Sequence, residues 1–199
     1  MKRRPQITAV ILAGGMGRRM GGQDKGLVEF EGRPLIAHVI DAVAPQVDGI
    51  LVNANRNREE YGRFGHPVLA DDLEGYQGPL AGILTAMKRA ATPYLLVVPC
   101  DAPRLPGNLA EKLMTGLHDA QAEIAVARDH ERLQPVHALL NTGLAADLEA
   151  FLASGERKID RWYEQHRMTA VDFSDQPETF LNLNTPDDRN RLQARKRTG

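Results

Sequence analysis

The run Tyr94-Leu95-Leu96-Val97-Val98 is apolar at every position. A strand with no alternation keeps no face for water, so it belongs in a sheet covered by helices on both sides. The rest of the chain offers those helices. Leu35, Ile36, Val39, Ile40 and Val43 form one helical stripe, and Leu80, Ile83, Leu84 and Met87 form another. Before and between them fall β-rich runs at Ile7 to Leu12, Gly49 to Asn53 and Pro67 to Ala70. Pro106 to Leu117, with Leu109, Leu113 and Leu117 four apart, reads as a helix before a strand at Ile124 to Ala127. Strand, helix and strand in repetition predict an α/β fold: an open, mostly parallel twisted sheet with helices on both faces.

After about Arg128 the pattern loosens. A strand at Val136 to Leu140, a helix carrying Leu144, Leu148, Phe151 and Leu152, and a helix with Ile159, Trp162 and Tyr163 leave room for one antiparallel strand or a small cap. Phe180-Leu181-Asn182-Leu183-Asn184 alternates as a strand, with both amides on one face. Thr185-Pro186-Asp187-Asp188 then reads as a helix start, with a cap, a proline and first-turn carboxylates. The 199 residues contain no repeat, low-complexity tract or linker, which leads us to expect a single domain over 1–199.

Composition narrows the class. Hydrophobic residues at 42% and charged residues at 26% are globular values. A net charge of -1 argues against a nucleic-acid-binding face, and the basic clusters Lys2-Arg3-Arg4 and Arg189 to Arg197 flank the ends. Cys100 is alone, which excludes a disulfide framework within the chain and a multi-cysteine zinc site, and suits a reducing cytoplasm. No window approaches the roughly 18 apolar residues of a membrane span, and MKRRPQITAVILAGG reads as a first strand rather than a signal peptide.

Ligands of open α/β sheets sit outside the carboxyl ends of the strands. The loop leaving the first strand, LAGGMGRRMGGQDK from Leu12 to Lys25, is therefore the first place to look. It is not a P-loop, because Gly17 and Gly22 are followed by Gln23 instead of lysine. It is not a dinucleotide fingerprint, because Met20 stands where the third glycine belongs. What remains is a longer loop whose backbone N–H groups approach oxygens closely, with Arg18, Arg19 and Lys25 adding positive charge. Arginine forks two phosphate oxygens and lysine acts as a point charge, so a triphosphate-sized polyanion fits; a flexible solvated loop is the alternative.

Asp101 follows the buried run and shares the edge with that loop. One carboxylate there suits Mg²⁺, a hard cation that completes its shell with substrate phosphates; a turn cap toward Pro103 is the alternative. Asp71 and Asp72 close another short strand, ahead of Gly75, Gly78 and Gly82. Asn53 ends the second strand with a donor and an acceptor, as reading a base or ribose edge requires; an Asx-turn would use the same residue. The six histidines show no H-x-x-x-H spacing, and Cys100 reads as a packing residue rather than a nucleophile.

The loop is similar to the signature L-A-G-G-x-G-x-R-M-G-x-D-K of the nucleotidyltransferase superfamily. Nearly the whole chain resembles its molybdenum cofactor guanylyltransferase family, through DKGLVEFEGRPL, VNANRN at Val52 to Asn57, DDLEGYQGPLAGI from Asp71, PCDAP from Pro99 and FLNLNTPDD from Phe180. The resemblance implies a Rossmann-like nucleotidyltransferase fold and transfer of GMP from GTP to the phosphate of molybdopterin, or Mo-molybdopterin, with release of pyrophosphate. It implies Mg²⁺, with Mn²⁺ as a substitute, held by Asp101. Catalysis would fall to Arg19, Lys25 and Asp101, and GTP binding to Leu12, Ala13, Gly14, Gly15, Lys25, Asn53, Asp71 and Asp101, while Asp24 would order the loop.

On the pterin side stand Asn182, Asn184 and Arg157, near Lys158 and Gln134-Pro135-Val136; a solvated helix start is the alternative for Arg157 and Lys158. The nucleotide side would span about 1–105 and the pterin side about 106–199. Expected partners are GTP, molybdopterin, other cofactor-biosynthesis proteins and recipient molybdoenzymes in the cytoplasm, with no nucleic acid and no membrane. Rival readings are cytidylyl transfer to the same pterin, sugar-phosphate nucleotidyl transfer, and a non-catalytic carrier of nucleotide or finished cofactor.

Overall fold

In the computed structural model, which describes residues 6–13, 24–73, 78–176, 178–183 and 188, the apolar run at the start becomes β1 (Ile7–Leu12) at the centre of the sheet. A two-residue hairpin, β2 (Glu29–Phe30) and β3 (Arg33–Pro34), turns through Glu31 and Gly32 at positive φ and leads into α1 (Leu35–Val43). Then come β4 (Gly49–Asn53), the short polar helix α2 (Arg58–Gly62) and β5 (Val68–Leu69). α3 (Pro79–Arg89) starts on Gly78 at φ 73 with proline at its first position, where no N–H is missed. β6 (Tyr94–Pro99), α4 (Leu109–Asp119) and β7 (Ile124–Arg128) complete the regular alternation. The looser half contributes β8 (Leu133–Asn141), α5 (Ala145–Ala153), α6 (Ile159–Tyr163) and β9 (Met168–Asp172).

Seven strands pair in the order β5-β4-β1-β6-β8-β7-β9. Every neighbouring pair is parallel except those made by β8, which runs against both β6 and β7. The expected single antiparallel strand is therefore β8. Alternation sorts the side chains between two layers. Ala9, Ile11, Leu96, Val98, Ala125 and Leu139 face α1 and α4, whereas Val10, Leu95, Val97, Val126, Ala138 and Leu140 face α3, α5 and α6. Both layers are well covered: Ala9 to Ile11 of β1, Leu95 to Val98 of β6, Trp162, Leu80 and Ile36 are all fully buried.

Several ends shift by one to three residues from the sequence reading, as β8 does in starting at Leu133 rather than Val136, and two differences have a plain physical cause. α4 begins at Leu109 rather than Pro106, because Gly107 and Asn108 make a turn in which the Leu109 N–H donates to the Pro106 carbonyl at 3.2 Å. The run from Phe180 is not a strand over its described residues. It ends a turn and continues irregularly, because no strand among the described residues offers it a ladder; the Leu181 N–H closes the turn on the Glu178 carbonyl at 3.4 Å, and the Leu183 N–H reaches the Asp101 carbonyl at 3.0 Å. Two of its apolar residues still pack, Phe180 on Phe173 and His137, and Leu183 beside Phe30 and Leu35, while Leu181 is exposed. The helix start expected at Thr185 to Asp187 lies outside the described residues. No helix among the described residues is long and apolar enough to cross a membrane.

Candidate active site

β4 lies on one side of β1 and β6 on the other, so the connections leaving β1 and β6 diverge. The crevice outside their carboxyl ends is where such sheets hold ligands. Three backbone bonds draw this edge together. Ala13 N–H donates to the Asn53 carbonyl at 2.8 Å, Cys100 N–H to the Leu12 carbonyl at 3.1 Å, and Leu183 N–H to the Asp101 carbonyl at 3.0 Å. Leu12, Ala13, Asn53 and Asp101 are thus neighbours by register, although they are separated by up to 89 positions in sequence.

Lys25 and Asp101 meet there. The Lys25 Nζ lies 3.2 Å from Asp101 Oδ2, with the carboxylate almost buried and the ammonium about a quarter exposed. The pair joins the far end of the glycine loop to the end of β6. Among the described residues, Oδ1 of Asp101 takes no hydrogen bond. No group of three His, Cys, Asp or Glu side chains converges among those residues. A cation at this edge would therefore find no more than two such side chains among the described residues, and a hard ion such as Mg²⁺ can complete a shell of that size with substrate oxygens and water.

Asp71 is held as a fixed acceptor. Asn53 Nδ2 donates to its Oδ1 and Asn55 Nδ2 to its Oδ2, both at 2.8 Å, and the Asp71 N–H returns a bond to Asn55 Oδ1 at 2.8 Å. Asn53 is itself buried, with its amide occupied by Asp71 and, at 3.4 Å, by the Leu69 carbonyl. α3 presses on the same amide: a Cβ on Gly82 would lie 2.2 Å from Asn53 Oδ1. Gly82 is therefore the point where α3 packs onto Asn53. The Asp72 N–H donates to Thr85 Oγ1 at 3.1 Å, and its carboxylate faces Arg89.

The other candidates are placed unevenly. Arg157 donates through Nη1 to the Leu152 and Glu156 carbonyls at 2.7 and 2.6 Å, at the end of α5. Its own carbonyl approaches Gly78 at the start of α3, 3.9 Å from where a Cβ would stand. Gln134 is buried and donates to Asp129 at 2.6 Å. Asn182 buries its Oδ1 with no hydrogen-bond partner among the described residues. Gly14, Gly15, Arg19 and Asn184 lie outside the described residues. Cys100 is buried, and burial, with the Asp101 and Asp24 charges next, pushes its thiol well above the usual range, so no thiolate stands beside Asp101.

Three contributors escaped the sequence reading: Asn55, Asn57 and Tyr61. Asn55 and Asn57 lie within VNANRN, where asparagines crowded after a strand were a usable signal. Tyr61 lies in a polar helix with one buried side chain, and no periodicity marks it.

A carboxylate and an ammonium paired at the switch point of a mostly parallel sheet, where the glycine-rich stretch of sequence ends at Lys25, mark an α/β protein whose crevice suits a phosphate-bearing ligand. The chain belongs to the MobA-like NTP transferase domain family, whose model matches residues 9–170. Molybdenum cofactor guanylyltransferases of Shewanella loihica and Shewanella piezotolerans are 54% and 55% identical, and each alignment covers 94% of this chain, with 96% and 91% of the relatives. Among solved structures, molybdopterin-guanine dinucleotide biosynthesis protein A from Archaeoglobus fulgidus superposes with a TM-score of 0.80 at 25% identity, over 98% of this chain and all of that one. A 4-diphosphocytidyl-2C-methyl-D-erythritol synthase from Anaerococcus prevotii shares the fold, with a TM-score of 0.75 at 14% identity over 97% of this chain and 99% of that one. The protein is thus a nucleotidyltransferase.

Proposed function

We propose that the chain transfers GMP from GTP to the terminal phosphate of molybdopterin, forming the guanine dinucleotide cofactor and pyrophosphate. The observation that carries this reading is the Lys25–Asp101 contact at the β1–β6 crevice, in a chain about 54% identical to guanylyltransferases. A phosphate oxygen of the pterin attacks the α-phosphorus of GTP. The bond from that phosphorus to the oxygen bridging to the β-phosphate breaks, and pyrophosphate leaves with the electron pair. The nucleophile is already ionised at neutral pH, so no general base is required. Alignment and charge neutralisation are what the site must supply.

Asp101 would hold Mg²⁺ or Mn²⁺, which supplies Lewis-acid stabilisation of charge on the transferring phosphates. Lys25 and Arg19 would counter the charge of the departing pyrophosphate, with backbone amides of Leu12 to Gly15 laid against the nucleotide. Asp71, gripped by Asn53 and Asn55, offers a carboxylate to base N–H donors. Guanine presents an N–H and an amino group side by side on its pairing edge, and cytosine does not, so this acceptor favours GTP over CTP. Arg157, Asn182 and Asn184 would serve the pterin and residues of about 1–105 the nucleotide, with the reaction in the cytoplasm.

Incubation of the protein with molybdopterin, MgCl₂ and each nucleoside triphosphate, with pyrophosphate and dinucleotide read separately, tests the reading. GTP alone should support turnover. Faster turnover with CTP, or GTP binding without pyrophosphate release, would favour cytidylyl transfer or a carrier instead.

A further inference from the structure

Asp24, the residue before Lys25, is a buried carboxylate only 7% exposed. Among the described residues it forms no ion pair; its charge is met by neutral donors. Tyr61 Oη donates to Asp24 Oδ1 in a short contact, and Asn57 Nδ2 donates to Oδ2 at 3.2 Å. Both donors come from the start and middle of α2. Asn57 takes a left-handed conformation at φ 50, and its carbonyl receives the Tyr61 N–H at 3.0 Å, so the two donors are set by one helical turn.

The ring of Tyr61 is fully buried and lies flush against Gly26, where a Cβ would stand 2.5 Å from Oη. Asp24 in turn accepts the Leu27 N–H through its carbonyl at 3.0 Å. The segment carrying Lys25 is therefore gripped on both sides of the lysine. Burying a carboxylate is costly even when hydrogen-bonded, and an apolar residue would serve packing better. The cost is explained if the carboxylate is needed to hold its neighbour in place.

We propose that Tyr61 is a positioning residue for nucleotidyl transfer: its hydroxyl, with the Asn57 amide, clamps Asp24 and thereby sets Lys25 beside Asp101. The inference rests on the transfer reaction proposed above. Tyr61 touches no reacting atom and acts through Asp24.

The test uses Tyr61→Phe, which keeps the ring against Gly26 and removes only the donor, together with Asp24→Ala and the double variant. Misplacing a charge-stabilising group by a fraction of an ångström lowers turnover, so kcat for pyrophosphate release from Mg·GTP and molybdopterin should fall about 10- to 100-fold in Tyr61→Phe, while KM for GTP moves less than about threefold. The double variant should be no slower than the slower single, because both changes cut one contact. Wild-type kcat in Tyr61→Phe, or multiplicative losses in the double variant, would overturn the proposal.

Amide hydrogen exchange on the unliganded protein gives an answer independent of the reaction. Exchange at residues 24–28 should accelerate in Tyr61→Phe while β1 and β6 keep their protection, which also establishes that the variant is folded. Unchanged exchange at 24–28 would overturn the clamp itself. Absence of turnover in the wild-type protein would instead remove the activity reading and leave the exchange result to judge the clamp.

Discussion

At Asp101 two demands meet on one carboxylate. Oδ2 faces the Lys25 ammonium and Oδ1 takes no hydrogen bond among the described residues, so the group is oriented without being saturated. Losing a pre-aligned charge-stabilising group costs on the order of 10²- to 10³-fold in rate, and Asp101→Ala is expected to fall further because a bound cation would leave with the carboxylate. Pyrophosphate release measured against MgCl₂ concentration checks this; near-normal turnover in that variant would remove the central assignment. Asp71 makes a different prediction, because its oxygens are fixed by two amides. Asp71→Asn replaces one acceptor with a donor facing another amide, so the preference for GTP over CTP should drop by roughly tenfold or more. The ratio of kcat/KM for the two nucleotides is the measurement, and an unchanged ratio would place base recognition elsewhere.

Two glycines show how elements transmit these demands. Gly82 brings α3 onto Asn53, and Gly116 brings α4 onto β9, where a Cβ would stand 2.5 Å from Val171 Cγ2. Overpacking of this sort costs about 1–3 kcal/mol, partly offset in a helix by the better propensity of alanine, about 1 kcal/mol. Both Gly82→Ala and Gly116→Ala should therefore lower the unfolding midpoint modestly. Only Gly82→Ala should also cut turnover, since displacing Asn53 releases Asp71; equal activity in the two variants would contradict that route. The same scale shows what could be read from sequence. The long strands and the striped helices were legible because each repeats its period over several residues, as in Leu35 to Val43 or Tyr94 to Val98. β2 and β3, of two residues each, and α2, with Tyr61 as its buried residue, carry no period to read. β9 lies at the sheet edge with half-exposed residues, so Met168 to Asp172 lacks the apolar run of a central strand. At the site, Lys25 and Asp101 were legible because motif and strand end coincide. The Tyr61–Asp24 contact was not, because it spans 37 positions and depends on how α2 is set down.

Taken as a whole, the molecule buries titratable groups in both layers, and that shapes its stability at both ends of the pH scale. On the alkaline side, burial holds the Tyr61 and Tyr163 hydroxyls protonated far above their ordinary value of 10.0. The unfolded chain loses those protons first as pH rises past 10, so stability declines there. On the acid side the relevant group is His137 on β8, fully buried against Phe180, with neither ring nitrogen hydrogen-bonded among the described residues. Burial pushes its pKa down from 6.5 to about 3. Above pH 6.5 both folded and unfolded states carry the neutral ring and nothing is lost. Below it the unfolded chain takes up a proton that the folded protein refuses, so stability falls by up to roughly 1.4 kcal/mol per pH unit until the folded ring titrates too. His137→Leu removes the titrating group and two unsatisfied nitrogens while keeping an apolar side chain in the layer. Urea denaturation at intervals from pH 8 to pH 4 should show the variant at least as stable as the wild type at pH 8. Its advantage should widen steadily below pH 6.5, and parallel acid limbs in the two proteins would mean that His137 is protonated, or solvated, in the folded state.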